Sequence, residues 1–416
     1  MKIKTIVEYI LMVIVVLILG SLAGWYFFLR TQTNTTTAQN IARGFGIDIP
    51  IGNANGGFFS ASQDTDMQQP AQAGQPPAQL WSVETKPTAG HVFIGEGKNL
   101  RLRYVERASG YVLEANPRTG SVMRLTNTLV PKVYEALLSE NGHVVQRSLD
   151  ATGNITTFAG IVATSTDTSS ASSSSKTLLG VYLPKNIASM SVNSRSGALF
   201  YIVKGAGGSA AISAEWNGEK QKVLLESAVL SWRPSILEDG RAILVQAAAD
   251  NVLGYSYELK QGGVLSPLLP PLPGLVLRVR ATSKAPETNA LLWSQSTRGE
   301  LRLFVRVGEN TTAVQIPVRT VADKCAWSPE KEFVAYCGVP QGTTGVNFLD
   351  KWYQGAAHSS DALWRIDASA GTAELVYTPP SNTPVDVENM ALDRTGEYLA
   401  FTNAADKSLW LFRLTQ

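Results

Sequence analysis

Histidine and cysteine are nearly missing from this chain, with three His and two Cys in 416 residues. A multi-ligand metal site draws on several such residues, so the usual zinc centres are excluded. Charge is scarce too: Asp, Glu, Lys and Arg make up 17% of the sequence, where about a quarter is ordinary. Lys+Arg 36 against Asp+Glu 34 leaves a net charge of +2, which gives no basic footprint for nucleic acid. No Gly-x-Ser-x-Gly elbow, His-Glu-x-x-His pair or phosphate loop occurs. His91, His143 and His358 stand far apart, each without a motif around it. No catalytic residue and no cofactor are therefore assigned, and a non-enzyme is expected. What the chain does have is 35 Gly and 20 Pro beside 44% hydrophobic residues, a balance that fits a turn-rich all-β protein.

Residues 9–29 form a run of 21 residues without a charge. A helix of that length spans about 30 Å, the thickness of a hydrocarbon core. Lys2 and Lys4 precede the run, and Trp25 and Tyr26 lie near its far end, where amphipathic rings favour the interface. The expectation is a transmembrane anchor over 1–30, single-pass, with a cytoplasmic N-terminus and an extracytoplasmic remainder. The alternative is a cleaved signal peptide, because Ser21-Leu22-Ala23 has the small-x-small pattern. A prepilin-like stem is a weaker option, since Glu8 precedes the run but no processing site does. Residues 31–79, rich in Thr, Gln, Asn, Gly and Pro, read as a disordered linker or stalk. Within it Phe45, Ile47, Ile49, Ile51, Phe58 and Phe59 cluster. They make either a sticky piece of linker or a docking motif for a partner or for this protein's own globular part.

From residue 80 to 416 short apolar runs alternate with Gly, Asn, Asp and Ser, the signature of many short strands. One unit recurs: an apolar strand, a tight polar turn, a second apolar strand. Its turn falls at Gly97, Gly142, Gly197, Gly240, Thr288, Lys331 and Gly396, at intervals of 43 to 48 residues apart from two of 55 and 65. The long intervals hold a Ser/Thr-rich tract at 164–175 and an insert at 338–360. Without those inserts the period is about 42–48 residues throughout, with four strands per unit, which is the β-propeller pattern. Seven turns give seven blades. After Gly396 only 20 residues remain, too few for three more strands, and a ring must close without an open edge. The missing strand has a donor in residues 79–84, QLWSVE. The sequence thus predicts an all-β, seven-bladed β-propeller with N-terminal strand closure, preceded by one transmembrane helix and a disordered stalk.

The turn Trp327-Ser328-Pro329-Glu330 with the strand Phe333-Val334-Ala335-Tyr336, and the stretch from Leu125-Thr126-Asn127-Thr128, resemble the WD40-like (PD40) repeats of TolB-type propellers. In that family a Ser-Pro-Asp-Gly turn precedes the strand; here Ser328-Pro329 keeps the first half and Lys331 stands in place of the glycine. The likeness covers residues 80–416. It implies a propeller that docks macromolecules in the envelope, although the family's additional N-terminal α/β domain has no counterpart. The layout, including Trp352-Tyr353-Gln354-Gly355, also resembles membrane-anchored bacterial propellers.

The insert at 338–360 carries Asp350, Trp352, Tyr353 and Gln354. Aromatics in a loop beyond a rigid scaffold make a recognition surface, or else they fold down to cap a blade. Cys325 and Cys337 flank one turn symmetrically, near disulfide range if the hairpin is regular; the alternative is two buried thiols. The expected function is a membrane-anchored protein-binding scaffold, its partner an envelope or secreted protein. The alternative is a glycan-binding module using Trp352, Tyr353 and Trp364 as platforms, with a propeller hydrolase third. Oligomeric state is not readable.

Overall fold

The computed structural model describes residues 77–162, 177–280, 289–308 and 311–414. The expected anchor at 1–30, the stalk up to residue 76, the Ser/Thr-rich tract at 164–175 and the turn position Thr288 lie outside these residues. Among the described residues no helix is long and apolar enough to cross a membrane.

Seven four-stranded antiparallel sheets follow one another along the chain. Blades 1 to 6 span residues 88–124, 133–182, 187–227, 232–273, 276–316 and 325–377, each with its strands in simple sequence order. Blade 7 takes three strands from residues 387–413, and its outer strand is Leu80–Glu84 from the start of the described chain. That strand pairs antiparallel with Leu409–Arg413, Leu80 opposite Phe412 and Trp81 opposite Leu411. Such closure ties the two ends of the propeller sequence into one sheet and removes the edge that an open ring would leave. The expected seven blades and the donated strand are both present.

The ring follows from the two-residue period of a strand. In blade 3 the second strand, Leu199–Gly205, sends Leu199 and Tyr201 toward blade 2, into a cluster with Val145 and Ala159. Phe200 and Ile202 point the other way, to Trp232 and Leu244 of blade 4. Both faces of the strand are covered, so both must be apolar, and the strand reads as a continuous hydrophobic run. The same argument holds in blade 7, where every residue of Tyr398–Asn403 is buried. Seven apolar clusters result, one between each pair of adjacent blades, including the pair that joins blade 7 to blade 1 through Tyr104, Leu102, Ala400 and Leu411. Each fully buried Leu, Ile or Phe contributes about 1.5–3 kcal/mol. Outer strands are the contrast: Val122–Arg124 of blade 1 is exposed at all three residues.

Turns between first and second strands are held by local side chains. The Asn193 carboxamide oxygen accepts from the Arg195 and Ser196 backbones at 3.1 and 2.9 Å, and Gly197 closes the turn at φ +75°, in left-handed space. In blade 6, where Lys331 replaces the glycine, the positive φ moves to Phe333. The hairpin survives because that residue takes the strained position.

Candidate functional site

The departure from the repeat is the connection between the second and third strands of blade 6, Val334–Pro340 and Asp361–Asp367. In other blades this connection is a short turn. Here it builds the only α-helix among the described residues, Phe348–Tyr353. Phe348, Leu349 and Trp352 form its inner face and are buried against the apolar cluster between blades 5 and 6.

Polar clamps hold the rest of the insert. Asp350 accepts a hydrogen bond from the Asp250 backbone at 2.9 Å, while the Asp350 backbone donates to the Asp250 carboxylate at 3.2 Å. Asp250 lies in blade 4, so this reciprocal pair reaches across the ring. The Tyr353 hydroxyl donates to Asp323 at 2.7 Å and accepts from Arg233 of blade 4 at 3.0 Å. The Trp352 indole N–H donates to Asp386, at the entry to blade 7, at 3.0 Å. Two blades besides its own, 4 and 7, thus clamp the insert.

Beneath it lies a buried charge cluster. Lys324 and Asp361 have no exposed side-chain surface, and Asp386 has 1%. The Lys324 ammonium donates to Asp361 at 2.7 Å, to Asp386 and to the Ser359 hydroxyl at 2.9 Å. Asp361 in turn accepts from the Val387 backbone at 2.8 Å. Burial would raise the Asp386 carboxyl, but hydrogen bonds from His358 and Lys324 and the ammonium charge bring it down to about 2. Asp361 goes the other way, raised by burial despite its contact with Lys324. Burial also works against ionisation of Asp323, and the guanidinium groups of Arg233 and Arg278 outweigh it, holding that carboxyl well below the usual range.

Cys325 and Cys337 are directly opposed across the first two strands of blade 6 and joined by a disulfide, with Cα atoms 4.1 Å apart. Of the four insert residues singled out for binding, Trp352 is buried and Asp350 is committed to Asp250. Tyr353 at 39% and Gln354 remain exposed, beside Val346 at 70%. The three aromatics named as glycan platforms do not make an exposed face: Trp352 is buried, and Trp364 packs against the same apolar cluster between blades 5 and 6.

The histidines stay apart. His91 lies on the inner strand of blade 1, His143 stacks on Trp216 at 4.7 Å, and His358 meets Asp386 at 3.0 Å. The neighbouring Ser359 hydroxyl bonds to Asp386 directly, so His358 and Ser359 are not arranged as base and nucleophile. No group of three or more metal-ligating side chains occurs among the described residues. Sequence reasoning missed Arg233, Arg278, Asp323, Lys324 and Asp386. Their signal was there in Asp323-Lys324, set inside the apolar stretch VADKCAW, and in two arginines within inner strands.

Fold and insert together define a seven-bladed β-propeller covered in part by a helical insert. No family model matches the chain, and no curated protein does. Among solved structures it is similar to an oligogalacturonate lyase in complex with manganese, at 10% identity and a TM-score of 0.53, over 83% of this chain and 95% of that one. An uncharacterized protein from Listeria monocytogenes EGD-e matches at 12% identity and TM-score 0.48, over 84% and 98% of the two chains. YCF48 bound to D1 peptide matches at 11% identity and TM-score 0.47, over 83% and 99%. Likeness at these identities is a likeness of fold alone.

Proposed function

We propose that the chain is a protein-binding scaffold of the cell envelope, related to TolB-type propellers, anchored by residues 9–29 with its propeller outside the cytoplasm, and not an enzyme. The observation that carries this reading is the insert: an exposed strip of Val346, Tyr353 and Gln354 held by clamps to blades 4 and 7. A surface fixed before binding loses little entropy when a partner arrives, which is what a docking surface requires. The Cys325–Cys337 disulfide supports placement in an oxidising compartment. Deleting the insert would expose Phe348, Leu349 and Trp352, so point replacement is the better probe. A photo-crosslinking residue at position 346 or 354 of the full-length chain in native cells should capture one envelope protein that the same residue at exposed Lys98 does not. Equal capture from all three positions, or none, overturns the scaffold reading, and retention on cell-wall material alone turns it toward glycan.

A further inference from the structure

Along the inner strands of blades 4 and 5, Trp232–Ile236 and Val276–Arg280, the ring holds a cavity of about 460 Å³ whose lining extends to Ser194 of blade 3, Trp327 of blade 6 and Met390 of blade 7, within the size range of small-molecule sites. Ile243, Val245 and Leu277 form an apolar wall that continues into the core between the two blades. Arg233, Arg278 and Asp323 also line it.

The charges there do not balance. Arg233 and Arg278 both pair with the one carboxylate of Asp323, Arg278 at 3.3 Å. Glu238, also on the lining, is matched by Arg195 at 2.6 Å. The Arg278 Nε is buried and hydrogen-bonds to nothing. One positive charge and a free donor therefore lie beside that apolar wall, in a cavity whose remaining lining mixes Ser194 and Ser235 with Val279, Trp327 and Met390. A guanidinium fork is matched by a planar oxyanion, which it holds through paired N–H donors. An apolar wall beside it favours a ligand with a hydrocarbon body.

We propose that this cavity binds a carboxylate carried on an apolar body, with the carboxylate at Arg278 and Arg233 and the body against Ile243, Val245 and Leu277. The chemistry is common to a free organic acid and to the C-terminal carboxylate of a peptide. It goes beyond the scaffold reading, which concerns the outer surface of the insert; the two sites adjoin where the Tyr353 hydroxyl meets Arg233 and Asp323.

The test is calorimetry on the full-length chain with two matched pairs of probes. One pair is 4-phenylbutyrate and 4-phenylbutyramide; the other is acetyl-Ala-Leu-Phe as free acid and as C-terminal amide. The acid of at least one pair should bind about tenfold or more tightly than its amide, as expected for a charged hydrogen-bonded pair. Preference for the phenylbutyrate pair identifies a small-acid site, and preference for the peptide pair identifies a chain terminus. Arg278→Gln should abolish the acid's advantage while leaving the weak amide binding in place, with the melting temperature reporting that the variant folds. Equal binding of acid and amide in both pairs overturns the proposal. So does absence of heat from both acids at about 1 mM, the level of a weak ligand. The acid–amide comparison needs no variant, so it decides even if Arg278→Gln fails to fold.

Discussion

Blades 1 to 3 and blades 4 to 7 share one strand plan and solve different problems. Blade 3 shows the first arc at its simplest: Leu199, Phe200, Tyr201 and Ile202 are buried almost without trace of exposure, and no charge is among them. Blade 6 keeps the same order and pairing, yet it carries a disulfide and the helix-bearing insert, and a fully buried lysine and two buried aspartates gather at its border with blade 7. A ring needs only the alternation of apolar faces, as blade 3 demonstrates. Buried ions add little to stability compared with well-packed hydrophobic residues, and their best-attested use is to fix one arrangement among several. In blade 6 the arrangement being fixed is the insert, since Asp386 receives Lys324 from below and Trp352, His358 and Ser359 from the insert itself. The ordinary repeat makes the platform, and the exception to it carries the surface.

The strongest way to break that contrast is Lys324→Met. It leaves two aspartates buried without their cation, and losing one partner of a buried pair costs about 3–5 kcal/mol. Urea unfolding should show that loss. In blade 3, Ile202→Val removes one methylene from an apolar site and should cost only about 0.5–1.5 kcal/mol. Equal effects from the two substitutions would mean that the buried cluster is no more critical than ordinary packing.

The first arc has a titratable group of its own. His91, on the inner strand of blade 1, has both ring nitrogens buried. Burial outweighs the pull of the Ala400 and Asn389 backbones and lowers its pKa to about 4 from an ordinary 6.5. A histidine kept neutral in the fold contributes stability that is complete above the unfolded value, and that contribution is lost as pH falls from 6.5 toward 4. The loss is at most about 3 kcal/mol. Denaturation midpoints measured across that window should fall in the parent and stay flatter in His91→Gln. A parallel fall in both would place the acid sensitivity elsewhere.

The disulfide separates the arcs by a similar amount. Cys325 and Cys337 are 12 residues apart, and closing a loop of that order constrains the unfolded chain by about 2–3 kcal/mol. Cys325→Ala with Cys337→Ala should lower the unfolding free energy by that amount, and reducing agent should act on the parent alone. An effect of reductant on the double variant would show that something other than this bond responds.

These contrasts also explain what could be read from the sequence. Blade count, period and strand donation were legible because each depends on a pattern repeated along the chain: apolar strands, polar turns, and Gly97, Gly142, Gly197, Gly240 or Gly396 at the bend. The orientation of Trp352 was not legible, because an aromatic in a loop faces in or out according to what lies beneath it. What lies beneath it is Asp386, 34 residues away along the chain. Arg233 and Asp323 meet across 90 residues, a distance over which strand periodicity says nothing. A lysine inside an apolar run, as at Lys324, was the one local mark that buried pairing partners had to exist.

The smallest effect sharpens the boundary between the fixed and the exposed sides of the insert. Tyr353→Phe removes one hydroxyl that donates to Asp323 and accepts from Arg233. Asp323 keeps both guanidinium partners, and the Arg233 side chain is 41% exposed, so water can replace the lost acceptor. The cost should be that of one ordinary hydrogen bond, about 1 kcal/mol, far below that of Lys324→Met. Protease cleavage within residues 341–360 should rise only slightly in Tyr353→Phe and sharply in Lys324→Met. If instead Tyr353→Phe releases the insert as fully as Lys324→Met, the anchor lies at the edge of the helix, and the buried cluster serves blade 6 alone.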